Sequence, residues 1–337
     1  IELELKKGDI FYLTPHEKFF ILNNKNDEKK ILSYLMFRFK FKCFPILKKT
    51  TDFPIHICIE PTSICNLRCV MCFQVDHSFT GDDIKKNSNK KYMGTMPFET
   101  FKKVVDQADE FGAQAISIGS RGEAFINKEM IKMLNYISTK KNFFDVKINT
   151  NATALTEKAI RAILDSNVNV IVFSVDDYRK EIYEKIRVGS DFDKILENIQ
   201  NFKKILNNDY KEKVIETRVS GVYFRPDQNE KDFAEFWSKY VDTVSYNKMS
   251  KRWDTYNNII EKNENMSPCT FMWERLFVWW DGKVNICDED YKSELSPGNI
   301  HNNSLKEIWN NKIMQNYRDI HLNRNREKLY PCDRCGV

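Results

Sequence analysis

Between Pro54 and Lys248, short apolar runs alternate with helix-like stretches, which predicts an α/β fold of βα units around a parallel sheet or barrel. Two further observations bear on that prediction. The chain has 337 residues, 42% apolar and 30% charged, enough for one large domain plus a smaller one. Its nine cysteines include one set directly after the first apolar run and another near the C-terminus.

The strand-like runs are Ile55–Ile59, Ala115–Ile118, Val146–Ile148, Val170–Val175, Val214–Val222 and Val241–Tyr246. Between them, Pro97–Phe111, Lys128–Thr139, Thr156–Ser166, Asp191–Leu206 and Glu230–Tyr240 read as helices. The first has Pro97 near its start and Phe98, Phe101, Val104, Val105 and Ala108 at helical spacing. Residues 1–53 form an N-terminal extension, with a hairpin expected over Asp9–Asn23 and an apolar segment over Ile31–Leu47. That extension either packs on the barrel or forms a peptide-binding module. Cys43 and Cys58 sit in apolar runs and read as buried core thiols. Residues 54–250 form the core, and 251–337 a second domain with a hairpin across Phe277–Cys287, turning at Asp281-Gly282, and a helix over Ser304–Arg318.

The stretch Ile64-Cys65-Asn66-Leu67-Arg68-Cys69-Val70-Met71-Cys72-Phe73 places three cysteines at C-x3-C-x2-C spacing. Four-iron clusters normally take four Cys thiolates, so three leave one iron open, and an open metal position is where chemistry takes place. Structural zinc usually shows two paired C-x2-C units or mixed Cys/His ligands, and here only His77 lies close downstream. The motif and its preceding strand resemble the radical S-adenosylmethionine (SAM) superfamily. That resemblance implies a partial (β/α)6 TIM-type barrel, with chemistry at the C-terminal ends of its strands. It also implies that the amino and carboxylate groups of SAM chelate the open iron. One electron then cleaves SAM to a 5′-deoxyadenosyl radical, which abstracts a hydrogen atom from substrate.

Other segments carry the same resemblance. Ser117-Ile118-Gly119-Ser120-Arg121-Gly122-Glu123-Ala124 is similar to the family's Gly-Gly-Glu-Pro segment, which implies SAM contacts at Gly122 and Glu123. Arg121 and Ala124 depart from it. Asn149-Thr150-Asn151-Ala152 resembles the Thr-Asn-Gly turn, with Asn149 and Asn151 as ribose contacts; an Asx turn is the local alternative. Ser174 and the downstream Arg187 resemble the pair that holds the methionine carboxylate, for which an Arg fork is well suited. Val219 and Ser220 match the adenine-contact segment; Met71 and Phe73, which flank the last cysteine, are further cofactor-binding candidates, Met71 in the place of an aromatic against the adenine face.

The second set is Cys269, Cys287, Cys332 and Cys335. With its hairpin, turn, Trp309-bearing helix and final C-x2-C, it resembles the twitch domain, the shortened relative of the SPASM domain. There four sulfurs complete one auxiliary four-iron cluster without an open site. A four-cysteine site ending in C-x2-C suits zinc equally well. The resemblance extends to aminocyclitol dehydrogenases. It implies two [4Fe–4S] clusters, SAM, a flavodoxin- or ferredoxin-type reductant, and a sugar- or cyclitol-like substrate whose alcohol is oxidised to a ketone. Epimerisation of a saccharide and modification of a peptide are the alternative outcomes, and a non-catalytic metal-binding protein the remaining one. Arg252 is similarly placed to a substrate-contacting Arg of those dehydrogenases; Arg218 and Tyr246 are further catalytic candidates, with Tyr223 and Arg225 beside them.

A net charge of +5 with short, isolated pairs such as Lys90-Lys91 and Lys140-Lys141 gives no basic stripe for nucleic acid. No run of about 18 apolar residues suggests a membrane span. The N-terminal stretch lacks the pattern of a signal peptide, and nine cysteines then point to a reducing cytoplasm.

Overall fold

The computed structural model describes residues 13–83, 86–249, 255–257 and 267–335. Its first element corrects the expected hairpin. Thr14 caps helix α1 (Pro15–Asn23) by accepting from the Glu17 amide, the Glu17 carboxylate reaches back to the Thr14 amide, and Pro15 occupies the first turn. That is a capping box with proline where a helix tolerates it, and its local signal outweighs the apolar alternation. Helix α2 (Glu28–Ile46) follows, capped by Asp27. Phe20, Tyr34 and Phe37 pack with Ile55, Ala115 and Phe144, so the extension closes the N-terminal end of the barrel.

The six barrel strands are β1 (His56–Ile59), β2 (Ala115–Ile118), β3 (Asp145–Thr150), β4 (Val170–Ser174), β5 (Glu216–Tyr223) and β6 (Thr243–Lys248). They pair parallel in sequence order, as the strands of an open six-stranded partial barrel should. Between them lie α3 (Phe98–Glu110), α4 (Met130–Ile137), α5 (Glu157–Asp165), α6 (Phe192–Asp209) and α7 (Glu230–Trp237). Alternation along each strand sorts the side chains. Ile57, Ile59, Ile116, Ile118, Val146, Ile148, Ile171 and Phe173 join the core under the helices. Their neighbours face the concave interior.

The C-terminal segment is not a separate body. Strand β7 (Arg275–Val278) pairs parallel with β1, His56 opposite Arg275 and Ile59 opposite Val278. Strand β8 (Lys283–Asn285) returns antiparallel to β7, and β9 (Gly298–Asn299) pairs with β8, completing a nine-stranded sheet. The expected single helix over Ser304–Arg318 is two, α8 (Leu305–Asn310) and α9 (Lys312–Leu322). Asn311 is the reason: extended at ψ 166, it ends the first helix and its side chain caps the second by accepting from the Met314 amide.

Candidate active site

The loop after β1 carries Cys65, Cys69 and Cys72. A two-residue antiparallel ladder holds it, Cys69 opposite Arg187 and Arg68 opposite Val188. Within the loop the Cys72 amide donates to the Cys69 carbonyl at 2.9 Å, and Arg68 donates to the carbonyls of Cys65 and Leu67. Burial pushes the Cys65 thiol up to about 12 and the Cys69 thiol up as well, and the neighbouring thiols raise both further. The three cysteines are half-buried and lie in no disulfide, and a cationic group bound there would hold them as thiolates. His77, close downstream in sequence, is exposed at the start of a single helical turn.

Around this loop stand the C-terminal ends of the strands. Gly122 lies where an added Cβ would sit 2.4 Å from the Thr62 carbonyl and 2.5 Å from that of Ile64, so only glycine lets the segment after β2 press on the cysteine loop. Buried Glu123 accepts from Thr150 Oγ1 and from the Asn151 amide, both at 2.7 Å. It pins the turn after β3, with lone pairs left over for a cationic ligand. Asn151 Nδ2 donates to Asn66 Oδ1 at 3.0 Å and approaches Cys65 Sγ at 3.9 Å, so this side chain braces the cysteine loop. Ser174 and Ser220 are direct cross-strand partners at the ends of β4 and β5 and face the interior, as does Asn149 on β3. Met71 is partly exposed in the cysteine loop. Arg187 is buried; its Nε donates to Asp176 Oδ2 at 2.7 Å, and among the described residues its other guanidinium nitrogens make no hydrogen bond.

Four expected site residues lie elsewhere. Val219 is fully buried in the helix-side core, one pleat step out of phase with Ser220. Tyr246 also faces the helices, stacked on Phe233 at 4.0 Å with its hydroxyl donating to the Asp176 carbonyl. Arg218 points into the barrel but toward its base, where it pairs with Glu216. Phe73 is stacked on Tyr291 at 4.8 Å and is closed to a ligand. Tyr223 leans on Tyr246 and Arg225 pairs with Asp227 on the surface. Arg252 lies outside the described residues.

The second thiol set converges from three elements: Cys269 before β7, Cys287 after β8, and Cys332 and Cys335 after α9. Burial raises all of the first three, and the thiols of Cys332 and Cys269 push Cys287 further up. Around Cys269 and Cys332 the charge is compensated by Arg326, which donates to the Cys332 carbonyl. Among the described residues, no three His, Cys, Asp or Glu side chains in either set group as a single-ion site.

Sequence reasoning passed over the joint between the two sets. Arg121, the departure from the family pattern, is buried; it donates through Nε and Nη2 to Glu60 at 2.5 and 2.6 Å and through Nη1 to the Tyr291 carbonyl. Its guanidinium lies 4.1 Å over the Trp279 ring. Asp76 accepts from Tyr291 and pairs with Lys292 at 2.8 Å, and Tyr256 donates to Asp290 at 2.6 Å. The only signal in the sequence was a charged residue where small ones were expected.

The comparisons decide the family. Residues 59–237 match the Radical SAM superfamily, and residues 269–336 match SPASM, an iron-sulfur cluster-binding domain. The chain belongs to the radical SAM superfamily. It is 30% identical over 122 residues to the tungsten-containing aldehyde ferredoxin oxidoreductase cofactor-modifying protein of Pyrococcus furiosus, a match covering 36% of this chain and 30% of that protein. It is 23% identical to the cysteine-type anaerobic sulfatase-maturating enzyme of Clostridium novyi, over 84% of this chain and 87% of that one. In fold it is similar to BtrN in complex with AdoMet and 2-DOIA, with TM-score 0.54 and 20% identity over 84% of this chain and 93% of the other. The chain spans between 30% and 60% of the curated relatives that head the comparison. Radical SAM and SPASM domains together imply SAM and iron–sulfur clusters as cofactors. Both cysteine sets fit that requirement. Among the described residues, no helix is long and apolar enough to cross a membrane.

Proposed function

We propose that this radical SAM enzyme oxidises an alcohol of a sugar- or cyclitol-like substrate to a ketone, with the auxiliary cluster as electron acceptor. One observation carries the reading: four thiols, enough to close every iron of a cluster, sit in a segment docked directly on the cysteine loop. Loaded, the first cluster supplies reductive cleavage of SAM and the second a place for one electron. The remaining work is positional. Cys65, Cys69 and Cys72 hold the open cluster, while Gly122, Glu123, Asn149, Ser174, Ser220 and Arg187 orient SAM at the ends of the strands. Asn151 braces the loop and Met71 flanks the adenine. The Phe73–Tyr291 stack and the Arg121 bond to the Tyr291 carbonyl tie the segments that carry the two sets. Substrate would lose a hydrogen atom from its carbinol carbon, its hydroxyl proton to a base, and one electron to the acceptor. Nine free cysteines support a reducing, cytoplasmic setting and a flavodoxin- or ferredoxin-type reductant.

A second reading, modification of a peptide, is favoured by the near full-length match to a sulfatase-maturating enzyme. Incubating the loaded enzyme with SAM, reductant and a panel of polyols separates the two. The first reading expects 5′-deoxyadenosine and a product lighter by two hydrogens in equal amounts. 5′-Deoxyadenosine without an oxidised polyol, but with a modified peptide from a matching panel, overturns it.

A further inference from the structure

We propose that the base of the barrel, at the end opposite the cysteine loop, holds a binding site for a phosphate-class dianion centred on Lys147. A cavity of about 470 Å³ opens there, walled by His16 and Arg38 from the N-terminal helices and by His56, Lys147, Arg218 and Arg275 from the strands. That volume suits a ligand of metabolite size.

The charges around it do not balance. His16 pairs with Asp145 and Glu216, Arg38 with Asp145 and Glu17, Arg218 with Glu216, and Arg275 with Glu274. Glu17 is matched in turn by Lys42. Setting His16, Arg38, Lys147, Arg218 and Arg275 against Asp145, Glu216 and Glu274 leaves two positive charges in excess. The excess is localised. Lys147, on β3, has no hydrogen-bond or ion-pair partner among the described residues, although it projects into the barrel beside Arg218 and Arg275. In the same wall, His56 Nδ1 and Arg275 Nε are buried without partners. His56 Nε2 is engaged with Ser117 Oγ at 2.8 Å. Burial, with Arg275, Lys147 and Arg38 nearby, holds the His56 ring neutral, and burial with Arg275 and Arg218 lowers the Lys147 ammonium. Unpaired buried donors of this kind are costly, and a dianion supplying several acceptors and two negative charges relieves all of them together.

The site stands apart from the proposed reaction. Cys58, Phe277 and Trp279 form a buried cluster on the concave side, Cys58 two residues beyond His56 and Phe277 and Trp279 two and four beyond Arg275, and fill the barrel between the cavity and the cysteine loop. A ligand at the base therefore touches neither SAM nor a substrate between the clusters. It ties α1 and α2, through His16 and Arg38, to the strands they cap.

The test uses the anaerobically loaded full chain. Equilibrium dialysis with inorganic phosphate should find one phosphate per chain, and phosphate should raise the Tm by several degrees where chloride at equal ionic strength does not. Lys147→Met should abolish both effects, Lys147→Arg should restore them, and both variants should still cleave SAM. A second arm compares a sugar phosphate with its parent sugar. Tighter binding of the sugar phosphate than of inorganic phosphate identifies a metabolite as occupant, and equal or weaker binding identifies the free ion. Absence of phosphate binding to the wild-type chain overturns the proposal, whatever the folding of the variants. So does an undiminished phosphate shift in Lys147→Met.

Discussion

The two ends of the barrel interior are built from the same materials and serve opposite ends. Both are crowded with buried charge. At the base, the charges mostly pair among themselves: His16 and Arg38 reach down from the capping helices to Asp145 and Glu216. At the top, Asp76 pairs with Lys292 across the joint between the core and the C-terminal segment, and the core pair Glu60–Arg121 reaches that segment through the Trp280 amide and the Tyr291 carbonyl. The thiols of Cys65, Cys69 and Cys72 lie in no disulfide, and among the described residues the hydroxyls of Ser174 and Ser220 make no hydrogen bond. The difference teaches that burial of charge alone does not locate the reaction; what locates it is which groups the packing leaves unspent.

The largest expected effect breaks the top and spares the base. Replacing Cys65, Cys69 and Cys72 together by Ala should abolish formation of 5′-deoxyadenosine from SAM and halve the iron content, while the Tm of the chain changes little. Residual cleavage at the wild-type rate would remove the loop from the chemistry.

Next comes the joint. Glu60→Gln leaves the Arg121 guanidinium buried without its counter-charge, and breaking such a pair costs about 3–5 kcal/mol. Unfolding in denaturant should show that loss as a single transition, because β7 is hydrogen-bonded along β1 and the C-terminal segment cannot detach from the sheet. Two separate transitions would show instead that the segment folds on its own.

The base should respond to pH without touching the reaction. Burial alone would lower the His16 pKa, but its bonds to Asp145 and Glu216 outweigh burial and hold it at about 9, above the ordinary 6.5. A pKa raised on folding stabilises fully below the unfolded value, and that stabilisation is lost as pH rises toward the folded one. His16 therefore contributes about 3 kcal/mol below pH ~6.5 that disappears by about pH 9. Stability measured across that window should fall, and His16→Gln should flatten the slope with SAM cleavage intact. A slope unchanged in His16→Gln would place the titration elsewhere.

The smallest effect sharpens the top. Arg187→Ala should weaken SAM binding by on the order of 2 kcal/mol if its free guanidinium nitrogens take the methionine carboxylate. Unchanged affinity would leave Arg187 as the partner of Asp176 and nothing more.

Legibility followed the same divide between local and assembled features. The strand cores, the helices and the cysteine loop were readable because period, turn chemistry and a C-x3-C-x2-C motif are written in contiguous residues. Tyr246 and Val219 were misplaced by one pleat step. A strand end tells which residues are near the site, but not which of two faces each presents. Helix α1 was readable in principle from Thr14-Pro15-His16-Glu17, and a period-two reading obscured it. The Glu60–Arg121 pair was not readable, since it joins residues 61 apart through a contact that only the assembled sheet creates. Nor was the continuity of β7 with β1, where pairing spans the length of the core.

The central claim is that one chain holds two iron–sulfur clusters, one open and one closed, across this joint. Metal analysis of anaerobically reconstituted protein tests it most directly. About eight irons and no zinc per chain, four for each cluster, are expected. About four irons with one zinc would make the Cys269, Cys287, Cys332 and Cys335 site structural and contradict the proposed electron acceptor.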